Sequence, residues 1–130
     1  MYYSVLMKFL INILIVAFGF LFSGGDITED IILSIKQGKT TDLVKYFDEK
    51  ISIKIINQED VLSKQQAEAN IKYFFEKHSA KAFTNTKTSV VNNTTQYITG
   101  NLETTNGKFK VSILVRRSLI AQFRIETDND

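Results

Sequence analysis

The sequence predicts an α+β domain, with N-terminal helices packed on a curved, mostly antiparallel sheet. Three observations carry this. Helical periodicity with capping chemistry fills the first half, most clearly from Ser63-Lys-Gln-Gln66 onward. From Phe83 to Thr127 the pattern turns strand-like throughout. Asn106-Gly107, set between two alternating segments, is the strongest short hairpin signal in the chain. With 130 residues, 44% hydrophobic and 23% charged, the chain suffices for one domain with a real core and is too short for two ordinary ones.

Residues 1–25 read as an address. A short segment carrying Lys8 precedes the apolar run Phe9–Phe22, and Ser23-Gly24-Gly25 follow. This is the charged, apolar, small-residue order of a secretory signal, with cleavage expected after Gly25. The apolar run falls short of the roughly 20 residues that a membrane span needs, so an uncleaved anchor is the lesser alternative. The domain is expected over residues 26–126, with a polar, frayed tail at 127–130.

Asp26-Ile-Thr-Glu29 can form a capping box ahead of a helix whose inward face is Ile27, Ile31, Ile32 and Ile35. Gly38 suits the left-handed position after that helix. Thr41 can cap a second, short helix that points Leu43, Val44 and Phe47 inward. Lys50–Ile56 is β-branched and reads as a strand. The Ser63 box opens a third helix that buries Ala67, Ile71, Phe74 and Phe75.

A two-residue turn at Asn106-Gly107 would pair Leu102 with Val111, Gly100 with Ile113 and Ile98 with Val115. Glu103 would then meet Lys110, and Tyr97 would meet Arg116, on the other side. The next loop is expected as Arg117-Ser118-Leu119. It pairs Val115 with Ala121, Ile113 with Phe123, Val111 with Ile125, Lys110 with Glu126 and Ser112 with Arg124. A two-residue loop at 117–118 would move Gln122, Arg124 and Glu126 to the apolar face. The result is a charged row, Glu103–Lys110–Glu126. For strand 83–91 two registers stand open: Thr84, Thr86 and Thr88 inward, or Phe83, Lys87 and Val91.

Net charge is +2, and removing residues 1–25 takes away Lys8 and no acid, leaving +1. No electrostatic partner such as nucleic acid is implied. Cysteine is absent and His78 is the only histidine, which excludes thiol catalysis, disulfides and a histidine-built zinc site.

Ser63-Lys-Gln-Gln-Ala67, Phe74-Phe75, Phe83, and Gly100-Asn-Leu-Glu-Thr104 with Asn106-Gly107-Lys-Phe-Lys-Val111 resemble the pattern of domain-of-unknown-function family 4783. The resemblance spans about residues 26–126. It implies a cystatin-like, nuclear-transport-factor-two-like cone, in which a curved sheet wraps a long helix, and an exported protein of the Gram-negative periplasm or cell surface. It implies no catalytic residue, cofactor or metal. Ser79-Ala80 stands where many relatives have proline.

The inward row Ile98, Gly100, Leu102, Phe109, Val111, Ile113, Val115, Ala121, Phe123 and Ile125 contains no ionisable group. A buried acid or base gains a useful pKa only through a desolvated site, so no enzyme is expected. His78 continues the Ile71 and Phe74 face. Its nearest acid, Glu76, is two residues away and points elsewhere, so a capping role at the helix end is expected. Asp48-Glu49 and Glu59-Asp60 read as solvated loop charges. Gly100 marks a bend in the sheet, or else room for a ligand opposite Ile113. The residues expected to line a pocket, if the cone keeps one, are Phe74, His78, Gly100, Leu102, Phe109, Ile113 and Phe123. The expected function is a non-catalytic binding or interaction module, either for a small apolar ligand or for an envelope protein. The alternatives are a lyase or isomerase of the ketosteroid-isomerase type, which would need a buried Asp48, Glu59 or His78, and a structural subunit using the charged outer face. That face suits a monomer or a weak polar dimer.

Overall fold

The computed structural model describes residues 27–128. The expected signal segment, Asp26 of the first capping box, and the tail residues 129–130 lie outside the described residues. Helix α1 spans Ile27–Gln37, the short α2 spans Thr40–Val44, and α3 spans Lys64–Lys77. Six strands complete the domain: β1 Phe47–Ile55, β2 Gln58–Ser63, β3 Ala80–Asn92, β4 Thr95–Thr104, β5 Gly107–Arg116 and β6 Leu119–Thr127. They form one curved sheet in the order β2-β1-β6-β5-β4-β3, antiparallel everywhere except where β1 meets β6. Helix α3 lies against β1 and β2, α1 against β3, and α2 touches both helices.

The helices follow their caps. The Ser63 hydroxyl accepts from the Gln66 amide (3.2 Å) and the Gln66 side chain accepts from the Ser63 amide (3.1 Å), closing the box. Gly38, at φ 61°, ends α1 in the left-handed region. Ile31, Ile35, Ala67, Ile71, Phe74 and Phe75 are buried as their spacing requires. The second helix departs from expectation: it starts at Thr40, with Lys39 at the N-cap making no side-chain cap, and Phe47 already belongs to β1. Phe47 reaches the core from the sheet instead, tilted against Phe123 at a centroid distance of 6.1 Å.

Strand β2 carries the largest departure. The acids Glu59 and Asp60, expected in a loop, lie within it, and Asp48 and Glu49 lie within β1. A tight turn at Ile56-Asn57 pairs Ile55 with Gln58, Ile53 with Asp60 and Ile51 with Leu62. Glu59 sits on the outer face, where the Arg124 guanidinium bonds it at 2.9 Å. Arg124 also bonds Glu126 (3.1 Å), as does Lys54 (3.4 Å). Hydrogen bonds from Arg124 and then Lys54 hold the Glu126 carboxyl below the usual carboxylate range. Glu126 still lies opposite Lys110, but these partners replace the expected charged row.

The β4–β5 register is shifted by two residues from expectation. Leu102 pairs with Phe109, Gly100 with Val111, Ile98 with Ile113, and Glu103 with Lys108. The expected turn would need positive φ at both Asn106 and Gly107, and only Gly107 has it, at 116°. The Thr104 hydroxyl accepts from the Asn106 amide (3.1 Å) and donates to the Gly107 carbonyl (2.8 Å), pulling the turn one residue earlier. A shift of two preserves side-chain parity, so every residue of the inward row is still buried.

The β5–β6 loop is the two-residue one set aside above. Arg117 (φ 53°) and Ser118 (φ 64°) both occupy the left-handed region, and Arg116 pairs with Leu119. A register shift between Leu114 and Val115 seats Val115 against Ile120 rather than Ala121. This bulge restores the pairs Ile113–Phe123 and Val111–Ile125. The loop holds strain that an Asn-Gly turn would not. Replacing Arg117 and Ser118 together by Asn and Gly should raise stability by about 1 kcal/mol, read as a higher urea midpoint. An unchanged or lower midpoint would contradict this strain assignment.

Neither register proposed for strand 83–91 holds along its length. Phe83 is buried, while Thr84, Thr86, Lys87, Thr88 and Val91 are exposed. Three register irregularities against β4 turn the strand out of plane, as befits a sheet edge. At the other terminus Thr127 pairs with Phe109, and the Asp128 amide donates to the Lys108 carbonyl at 3.1 Å, so the chain stays tied through 128.

Candidate functional site

A depression of about 260 Å³ opens between the C-terminal half of α3 and the β1–β2 hairpin. Its position follows from the sequence of α3. Asn70, Tyr73, Phe74 and Lys77 recur at helical spacing and place one stripe toward β1 and β2, and His78 continues it. The opposite wall comes from the strand period: Ile53 and Ile55 on β1, with Gln58, Asp60 and Leu62 on β2, share the concave face. Ile56 closes the lip.

His78 combines two jobs. As C-cap residue its backbone amide donates to the Phe74 carbonyl at 2.9 Å, and its ring Nδ1 approaches the same oxygen at 2.9 Å. The ring stacks on Phe74, with centroids 4.3 Å apart and planes 10° apart, and meets Phe109 edge-on at 5.2 Å. The capping role expected from sequence is therefore the geometry found, and the half-buried ring also lines the depression.

The expected pocket residues separate into two groups. Phe74 and His78 face the depression. Leu102, Phe109, Ile113 and Phe123 are closed into the core, where the sheet packs against α3. The space beside Gly100 is filled by the Phe83 ring from the neighbouring strand, so it holds no ligand room. Gly100 also stands at the irregularity between Asn85 and Lys87, which agrees with the bend reading. The depression lies to one side of the expected interior because Phe109 and Phe123 occupy the centre.

Sequence reasoning missed the β1–β2 wall. The signal was present in the alternation Gln58, Asp60, Leu62 against Glu59, Val61, Ser63, but six residues with two adjacent acids do not read as a strand by composition. Of the acids that an enzyme would need, Glu59 is on the outer face with Arg124, and Asp48 accepts from the Glu49 amide at 2.7 Å. Neither lines the depression; the acid that does is Asp60, which is exposed. Tyr46 lies elsewhere, its hydroxyl 3.3 Å from Asp30; burial first, then that carboxylate, pushes its pKa up. Among the described residues no three acids or histidines gather as a metal site requires.

A family model described as a domain of unknown function, DUF4783, matches residues 28–127. The chain is similar to a DUF4783 family protein from Bacteroides uniformis, with 27% identity and a TM-score of 0.77, covering 81% of this chain and 100% of that one. It is also similar to a putative polyketide cyclase from Sinorhizobium meliloti, with 10% identity and a TM-score of 0.62, covering 78% of this chain and 94% of that one. A domain of unknown function with a cystatin-like fold from Nostoc punctiforme gives 10% identity and a TM-score of 0.63, covering 80% of this chain and 74% of that one. At 10% identity the likeness is one of fold alone. No curated protein matches the chain.

Proposed function

Since this chain belongs to the DUF4783 family, a domain to which no function is attached, we propose that it is a non-catalytic binding module that takes a small, mainly apolar ligand. The carrying observation is the depression itself, concave, with an apolar wall of Ile53, Ile55, Ile56, Leu62 and Phe74 beside the polar side chains of Gln58, Asp60, Asn70, Tyr73, Lys77 and His78. At about 30 Å³ per water, its volume corresponds to about nine waters, or a ligand of about ten non-hydrogen atoms. The N-terminal pattern of Lys8, an apolar run and Ser23-Gly24-Gly25 supports a reading in which the module is exported and meets its ligand outside the cytoplasm.

The rival is a lyase or isomerase, and one observation favours it: Asp60 and His78 line the same depression. Against it stands the setting of both groups. Asp60 is exposed, and the His78 ring is committed to the helix end, its Nδ1 at the Phe74 carbonyl and its faces and edge against Phe74 and Phe109.

Denaturing mass spectrometry of the protein purified from its own bacterium tests the binding role. A recurring apolar molecule of this size, near one per chain, is expected. Protein that is repeatedly empty would end the small-ligand reading and turn attention to a protein partner in the envelope.

A further inference from the structure

The polar atoms of the depression say what kind of ligand it would take, granted the binding role proposed above. Nδ1 of His78 faces the Phe74 carbonyl oxygen, which can only accept, so Nδ1 carries the hydrogen. In the neutral ring Nε2 is then a bare acceptor, and it has no partner among the described residues. Stacking on Phe74 and the edge contact with Phe109 fix the ring plane. A second acceptor is the Asp60 carboxylate, opposite Ile53 on the concave face, also without a partner among the described residues. Gln58 and Asn70 bring amides that both donate and accept and so favour neither kind of head, and the cation of the lining, Lys77, lies over the Tyr73 ring at 4.9 Å from its centroid.

Ile56 holds the lip of the depression in the β1–β2 turn. It sits at φ 59°, in the left-handed region that β-branched residues avoid. Its amide donates to the Ile125 carbonyl at 2.7 Å, which anchors the strained turn to β6. Glycine would relax this turn but would remove the apolar side chain from the depression.

We propose that the depression selects compact ligands that present a polar hydrogen, as an ammonium or hydroxyl group, on an apolar body. The hydrogen would meet His78 Nε2 or the Asp60 carboxylate while the body covers Ile53, Leu62 and Phe74. A carboxylate head would lie against the like charge of Asp60 and would offer His78 Nε2 no hydrogen.

Four probes of similar size separate the possibilities: 2-phenylethylamine, 2-phenylethanol, propylbenzene and 3-phenylpropanoate. Amide shifts of Ile53, Leu62, Asn70 and His78 in the 15N-labelled full chain report binding. The amine or the alcohol should saturate at a concentration at least about tenfold lower than propylbenzene or 3-phenylpropanoate. Asp60→Asn should weaken the amine more than the alcohol if the ammonium is the preferred head, and both alike if the hydroxyl is. His78→Asn keeps a donor for the Phe74 carbonyl and loses Nε2, so it should erase most of the preference while the melting temperature stays within a few degrees. Equal binding of propylbenzene, tightest binding of 3-phenylpropanoate, or full preference in His78→Asn would each overturn the head-group proposal and leave the binding role standing. Unmoved amides with all four probes would overturn both.

Discussion

Replacing Phe123 with alanine should lower the unfolding free energy by about 3–5 kcal/mol. Phe123 is 0% exposed on β6, with Ile53 beside it on β1 and Ile113 on β5. Its ring also meets Phe47. Truncation removes apolar area from all these partners and leaves a cavity that hydrogen-bonded strands on both sides cannot collapse into. A domain of this size has about 5–15 kcal/mol in total, so the variant should stand near its unfolding threshold. Urea unfolding followed by circular dichroism measures the loss. Phe123→Leu, which keeps most of the volume, should lose much less. A loss below about 1 kcal/mol for the alanine variant would mean that Phe123 is not packed as described. It would restore the residue as a candidate pocket wall.

Gly100→Ala should cost about 2–3 kcal/mol, a large effect for one added methyl group. The backbone of Gly100 is ordinary strand, so the constraint is space and not conformation. A Cβ there would overlap the Phe83 ring and lie 2.7 Å from the Thr84 carbonyl oxygen. The ring can turn aside at some cost. The carbonyl belongs to the paired strand and moves only if β3 separates from β4. Combining Gly100→Ala with Phe83→Ala should therefore recover only part of the loss, with a coupling of about 1 kcal/mol between the two sites. A Gly100→Ala protein of wild-type stability would show that the Phe83 ring does not rest on this glycine.

These two positions also show how far sequence reasoning reaches. Phe123 is legible as core because alternation alone puts it on the same face as Ile125 and Ala121. Gly100 is legible as special because a glycine interrupts that alternation. What fills its place is not legible, since Phe83 comes from a strand whose register two patterns fit equally well. The β4–β5 turn makes the same point: parity survived a two-residue shift, but the identity of each cross-strand neighbour did not, because the Thr104 hydroxyl outcompeted the Asn-Gly preference locally.

By itself, the sequence determined the class of fold, the buried faces of α1 and α3, the Ser63 cap, the helix-end role of His78 and the parity of β4 to β6. These follow from period, capping chemistry and side-chain alternation, which act over a few residues. Only the tertiary structure decided that Gln58–Ser63 is a strand, that Asp60 shares the concave face with Ile53, and that the depression lies beside α3 rather than in the centre. The physical reason is that these depend on pairing β2 with β1 and on Phe109 and Phe123 filling the interior. The filling of the interior joins residues distant in the chain, which no local pattern encodes; the β1–β2 hairpin is local, but the adjacent acids Glu59 and Asp60 hide it from a reading by strand composition.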